Sequence, residues 1–194
     1  MAERSPKARE IIAYTRQLLT SGGYKSFSYA DLAERVDIRK ASIHHHFPGK
    51  ADLVKAVVEE YRAEARAGLK AMDEQINDPL LQVKAYVDYW AHCIKEGNSP
   101  FCICVMLAAE MPILPEEVAH EVTGHFSDLS GWLAQQLAKG QDAGVFQLSA
   151  GAETEAKTLM ASVHGAMLSA RAFKNAEVFD QIVYPLLRKI TLQA

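Results

Sequence analysis

The amino-acid sequence predicts an all-α chain: a short three-helix head carrying a helix-turn-helix, then a larger bundle of helices. Three observations lead there. Apolar residues recur every three or four positions along nearly the whole chain, the spacing of one buried helix face. Gly, Pro and Ser/Asp residues punctuate the ends of those stretches, where caps and stops belong. No segment has the alternation and tight turn of a strand pair. The spacing divides the 194 residues into about nine helices, with a boundary between a head (1–49) and a body (50–194).

Ser5-Pro6 supplies an N-cap and a first helical position. The helix it opens buries Ile11, Ile12, Thr15, Leu18 and Leu19 until Ser21-Gly22-Gly23 stops it. Ser28 and Asp31 form a capping box for a second helix, whose inner face is Leu32, Ala33 and Val36. Asp37 makes the turn, and Ile38 is expected to open a third helix anchored by Ile43 and Phe47. Phe47-Pro48-Gly49 closes the head. A fourth helix runs from Lys50 to about Gln75 on Leu53, Val57, Tyr61 and Ala65, and Asn77-Asp78-Pro79 breaks it. Leu80–Lys95 forms a fifth around Val83, Tyr86, Val87 and Trp90, and residues 97–100 are a loop. Phe101–Met111 is dense and apolar, and reads as a buried helix. Beyond Pro112 and Pro115 a seventh helix carries Val118, Val122, Phe126, Leu129, Trp132, Leu133 and Leu137, ending near Gly140 or Gly144. Glu153–Lys174 and Glu177–Gln193 are the last two helices.

The net charge of -3 conceals an asymmetry. Residues 1–50 hold nine Lys/Arg against five Asp/Glu, whereas residues 51–194 hold twelve against nineteen. A basic head on an acidic body fits a nucleic-acid contact confined to the N-terminus. An apolar content of 49% excludes wholesale disorder, and no apolar run nears the ~20 residues of a membrane span. Three cysteines and a start (Met1 to Ser5) without an apolar leader point to a reduced, cytoplasmic setting.

The third helix turns Arg39, Lys40, Ser42, His44 and His45 outward. Lys and Arg neutralise phosphates or fork onto guanine, and Ser and His are short donors for phosphate or base edges. Tyr29 begins the second helix, where the helix N-terminus is placed to meet backbone phosphate. Asp37 holds the position where this turn needs positive φ, which Asp tolerates better than most residues. His44, His45 and His46 cannot close on one ion, since successive helical residues point about 100° apart. No metal or cofactor is expected. The run from Leu32 through Val36-Asp37-Ile38-Arg39-Lys40-Ala41-Ser42-Ile43-His44-His45-His46-Phe47-Pro48-Gly49-Lys50 resembles the TetR/AcrR family of one-component repressors, whose usual wording there is close to GVSKGTLYHYFPSKE. That resemblance covers residues 8–60. It implies a homodimer whose first three helices bind a pseudo-palindromic site on double-stranded DNA while the rest binds an inducer. It further implies DNA contacts at Lys40, Ser42, His44 and His45, and a place beside phosphate for Lys50. The chain departs from the pattern at Asp37 (turn glycine), Arg39 (capping Ser/Thr), and His44 and His46 (tyrosines).

In the body, Cys102-Ile103-Cys104 stands out. On one helix these thiols face nearly opposite ways, so a disulfide between them is not expected. Two readings stay open: small hydrophobes in a core, or a Cys102 thiol made reactive by a helix N-terminus. The stretch from Cys102 to Glu110 is similar to a subgroup that includes the N-ethylmaleimide reductase repressor. That implies electrophile or oxidant sensing at Cys102, with Cys93 placed as a resolving partner if its helix packs antiparallel. Trp90, Met106 and Phe126 could line an apolar effector pocket with His125 and His164 as polar handles, plain core being the alternative for each. The last two helices are expected to form the dimer bundle, Gly165 and Ala166 allowing close approach and Leu186, Leu187 and Ile190 supplying apolar area. An enzyme is not expected; it would need a histidine within hydrogen-bond reach of Cys102 and a positioned third residue. A regulator controlled by a protein partner is the other alternative, and predicts a solid-packed body.

Overall fold

The structure, a computed structural model, describes residues 4–97 and 101–192. Among the described residues are nine α-helices: α1 (Pro6–Gly22), α2 (Tyr29–Val36), α3 (Lys40–His46), α4 (Lys50–Gln75), α5 (Pro79–Glu96), α6 (Ile103–Ala108), α7 (Glu116–Asp142), α8 (Ala152–Phe173) and α9 (Glu177–Ile190). Single 3₁₀ turns occur at Tyr24–Ser26 and Met111–Ile113. The fold is all-α, as the periodicity requires. Its one β feature among the described residues is an isolated bridge between Phe146 and Thr191. No helix of the described residues is long and apolar enough to cross a membrane.

Local chemistry sets the helix ends. Ser5 Oγ accepts the Ala8 amide at the start of α1. Gly23 stops α1 with φ 79, and its amide donates to Leu19 O. A Cβ there would also collide with the Glu110 carboxylate, so only glycine fits. Ser28 and Asp31 form the capping box reciprocally: Ser28 Oγ accepts the Ala30 and Asp31 amides, and Asp31 Oδ2 accepts the Ser28 amide at 2.6 Å. Asp37 adopts the left-handed conformation (φ 53, ψ 54), and Ile38 N–H reaches back to Ala33 O at 3.0 Å.

Three boundaries differ from expectation. α3 begins at Lys40 rather than Ile38, because Ile38 and Arg39 complete the turn; Arg39 is the N-cap and makes no side-chain cap. The apolar stretch 101–111 yields only six helical residues, since Cys102 is extended (φ -71, ψ 120) and Met111-Pro112-Ile113 turns as 3₁₀. α9 stops at Ile190, where the chain leaves the helix so that Gln147 N–H can bond Ile190 O and Leu192 N–H can bond Val145 O. The Asn98–Pro100 part of the expected loop, and Gln193, lie outside the described residues.

The chain packs as two compact units, residues 1–64 with 102–125, and 65–101 with 126–194. Packing therefore groups residues differently from the expected head and body, 1–49 and 50–194. In the first unit Ile11, Leu19, Leu32, Ile43 and Leu53 are fully buried, each worth about 1.5–3 kcal/mol of transfer free energy. α1 packs on α2 and on α6. In the second unit α8 and α9 form a helical hairpin around Leu159, Val163, Phe179 and Val183, with α5 against both. Lys174 makes the turn between them at φ 51. Tyr184 Oη donates to Asp88 Oδ1 at 2.6 Å, and Trp132 Nε1 and Gln136 Nε2 both donate to Asp73 Oδ1.

Candidate nucleic-acid interface and thiol cluster

The reading surface is built by burying one side of α3. Ile43 and Phe47 face inward, and the rest of the short helix is turned out by elimination. Arg39, Lys40, Ser42, His44 and His45 are all exposed. His44 is steered: its Nδ1 bonds Pro48 O at 2.9 Å and its ring lies 4.8 Å from that of Tyr29. A carbonyl only accepts, so Nδ1 carries the proton of that bond, which leaves Nε2 uncommitted to Pro48. The expected residues of α3 are thus all exposed, spread round the solvent side of the helix, with Lys40 and Ser42 about 200° apart.

Tyr29 and Lys50 do not join them. Tyr29 is 6% exposed, and its hydroxyl lies between two carbonyl oxygens, Phe47 O at 3.0 Å and Gly49 O at 2.6 Å. Burial and the nearby Asp52 carboxylate push its phenol pKa well up, so it stays a neutral donor. It sits inside the head, fastening α2 to the α3–α4 turn. Lys50 folds back in the same way: Nζ donates to Phe27 O and lies 4.0 Å from the Phe27 ring centroid and 4.8 Å from that of Tyr24. Burial lowers its pKa, against the pull of Glu110 and Asp31. Both residues have an aromatic or aliphatic stem that can snorkel or tuck in, and the sequence alone does not choose between the two.

Glu110 is a residue that sequence reasoning missed. At the far end of α6 its carboxylate accepts the Tyr24 amide at 2.5 Å and the Lys25 amide at 3.3 Å, closing the turn that leads into α2. Nothing in local sequence marks a carboxylate that caps a turn 86 residues away.

The effector residues fall into separate groups. Phe126 and His164 meet edge-on, ring centroids 5.2 Å apart, in the second unit. Trp90, also there, is 8% exposed and packs its ring against Tyr89. Met106 is half-buried on α6. A groove lined by Lys55, Glu116, Glu117, His120 and Glu121 is open and charged, unlike an enclosed apolar inducer pocket. The third group is Cys102, Cys104 and His125, all buried in the first unit, with donor atoms within 4.8 Å of one another. Cys102 Sγ lies 3.7 Å from His125 Nε2. The two thiols were expected to diverge, but Cys102 precedes the helix, and its extended backbone brings Sγ round to Cys104. Burial pushes the Cys104 thiol pKa well up, and the hydrogen bond with Cys102 adds to this. None of the three cysteines is in a disulfide. The Cys102–His125 distance meets the reach that a thiol nucleophile would need. At 0% and 5% exposure, however, the pair is sealed from any substrate.

Residues 11–57 match the family described as "Bacterial regulatory proteins, tetR family", and residues 79–184 match "Tetracyclin repressor-like, C-terminal domain". This chain belongs to the TetR family. A TetR-family transcriptional regulator from Agrobacterium tumefaciens, known as a crystal structure, is 49% identical, with a TM-score of 0.94 over 96% of this chain and 98% of that one. The HTH-type transcriptional repressor DhaR of Mycobacterium sp. (strain GP1) is 22% identical over 180 residues, 93% of this chain and 90% of its own length. Escherichia coli NemR in its reduced form is 20% identical with a TM-score of 0.83, covering 96% and 98% of the two chains, and shares the fold. This TetR-family chain is therefore a transcriptional regulator with an N-terminal DNA-binding helix-turn-helix and a helical C-terminal domain.

Proposed function

We propose that this TetR-family protein is a homodimeric repressor that grips a pseudo-palindromic operator with residues 1–49, while residues 50–194 receive a signal and dimerise. The observation that carries the reading is the exposed side of α3, where Arg39, Lys40, Ser42, His44 and His45 are all open to solvent beside the capped α2. Lys40 and Arg39 supply phosphate neutralisation, and Ser42, His44 and His45 supply short groups for base edges or phosphate. His44, with Nδ1 committed to Pro48 O, has Nε2 left for a base edge or phosphate.

Dimerisation is assigned to α8 and α9. Gly165 is exposed with open space around it, as close helix approach needs. The apolar area differs from expectation: Leu187 (6% exposed) and Ile190 (8%) are spent inside the protomer. Leu168 (48%), Phe173 (73%) and Ile182 (38%) are left outward. If these three form one patch across the two helices, it would suit an interface between copies.

A signal received in the body would displace α4 and with it the reading head, so that two heads no longer match half-sites one helical turn apart. Direct electrophile trapping at Cys102 requires α6 to open first, because the thiol is fully buried. DNase footprinting on the DNA flanking the protein's own gene tests the reading. Paired protected half-sites about 34–36 Å apart are expected; uniform, sequence-independent protection would contradict it.

A further inference from the structure

The buried cluster at the start of α6 belongs to neither the reading face nor the dimer face. It gathers two thiols and one imidazole, all of the soft or borderline donor class, at buried positions, with the Arg62–Glu121 ion pair acting on Cys104 from nearby. The backbone creates it. Were Cys102 helical, its thiol and that of Cys104 would diverge; instead Cys102 is extended, and α7 brings His125 to the same point. Two ligands held at 2.3 Å (sulfur) and 2.0–2.1 Å (nitrogen) around a tetrahedral centre stand about 3.6 Å apart. Cys102 Sγ and His125 Nε2 stand 3.7 Å apart. The Tyr61 ring, 5.3 Å from that of His125, packs beside the imidazole and limits its swing.

We propose that Cys102, Cys104 and His125 form a binding site for one thiophilic d10 cation, Zn²⁺ or Cu⁺. Both thiols ligate as thiolates, and their protons pass to solvent. The imidazole gives its Nε2 lone pair, and no electrons change hands. Three donors are enough in number for Cu⁺ once they close inward from the 4.8 Å within which they lie, whereas Zn²⁺ would take a fourth ligand from outside this set. The site deepens the repressor reading, and to that extent rests on it. α6 packs on α1, and Glu110 at its far end holds the Tyr24 and Lys25 amides at the entry to the reading helices. An ion fixing the near end of α6 would therefore alter operator affinity.

The test uses full-length, chelator-treated, reduced protein. It is titrated with Co²⁺ as an optical stand-in for Zn²⁺, and separately with Cu⁺ delivered as its bicinchoninate complex. One ion per chain is expected, with a thiolate charge-transfer band for Co²⁺ that Zn²⁺ displaces. Cys102→Ala, Cys104→Ala and His125→Gln should each weaken binding by at least about tenfold, and Cys93→Ser should not. Because the three positions are buried, wild-type protein gives a second readout: bound Zn²⁺ or Cu⁺ should shield Cys102 and Cys104 from alkylation in mild denaturant while Cys93 reacts. Absence of stoichiometric binding by either ion overturns the site, and so does binding that survives both cysteine variants. Operator affinity is then compared with and without the ion, and a change of about 5–150-fold is expected. Ion binding with unchanged operator affinity overturns the regulatory role alone. Failure to bind operator in either state counts against the repressor reading and leaves the optical result standing.

Discussion

Tyr29 Oη is enclosed by the carbonyls of Phe47 and Gly49, and Tyr29→Phe removes the donor they share. The cost should be about 1–3 kcal/mol, read from a urea midpoint at constant slope, while operator affinity of the folded protein stays as in wild type. Lost operator affinity with unchanged stability would return Tyr29 to the phosphate. Asp37 gives a second test. At φ 53 a β-branched side chain is strained, so Asp37→Val should lose about 1–2 kcal/mol. Asp37→Gly should be at least as stable as wild type. These two residues mark how far sequence reaches at this scale. The conformation of Asp37 was legible because few residues suit a tight turn of that hand. The inward turns of Tyr29 and Lys50 were not, because a long amphipathic side chain can lie in or out and only the neighbouring carbonyls decide.

Among the elements, α2 owes its start to the Ser28–Asp31 box, and Ser28→Ala should cost about 1 kcal/mol of stability. α8 is braced differently: Glu155 Oε1 accepts the Ser149 hydroxyl and the Ser149 and Ala150 amides. Hydrogen bonds to Ser28 hold the Asp31 carboxyl below its usual range, and bonds to Ser149 and Ala150 do the same for Glu155. A depressed folded pKa adds stability that is complete above the unfolded value, about 4, and disappears as pH falls through the folded value. The gap in urea midpoint between wild type and Glu155→Gln should therefore be constant near neutrality and narrow below about pH 4. A gap independent of pH down to full acid would refute this origin. Helix order and most ends were readable from periodicity and caps. α6 departed furthest, because apolar density in 101–111 identifies burial but carries no period. That one misread start is also why the thiol pair was expected to diverge.

At the scale of the whole molecule, the account needs two chains. Leu168→Glu with Ile182→Lys places charge on the outward faces of α8 and α9 and should yield a monomer by light scattering, with helix content retained. A dimer that persists would move the interface elsewhere. The central claim is that the face of α3 grips DNA through charge and short polar groups. Its most direct test is the salt dependence of binding to the footprinted operator, for wild type and Lys40→Ala. Loss of one phosphate contact should make the slope of log Kobs against log salt shallower by about 0.9, with the urea midpoint unchanged. Wild-type affinity and slope in Lys40→Ala would contradict the assignment.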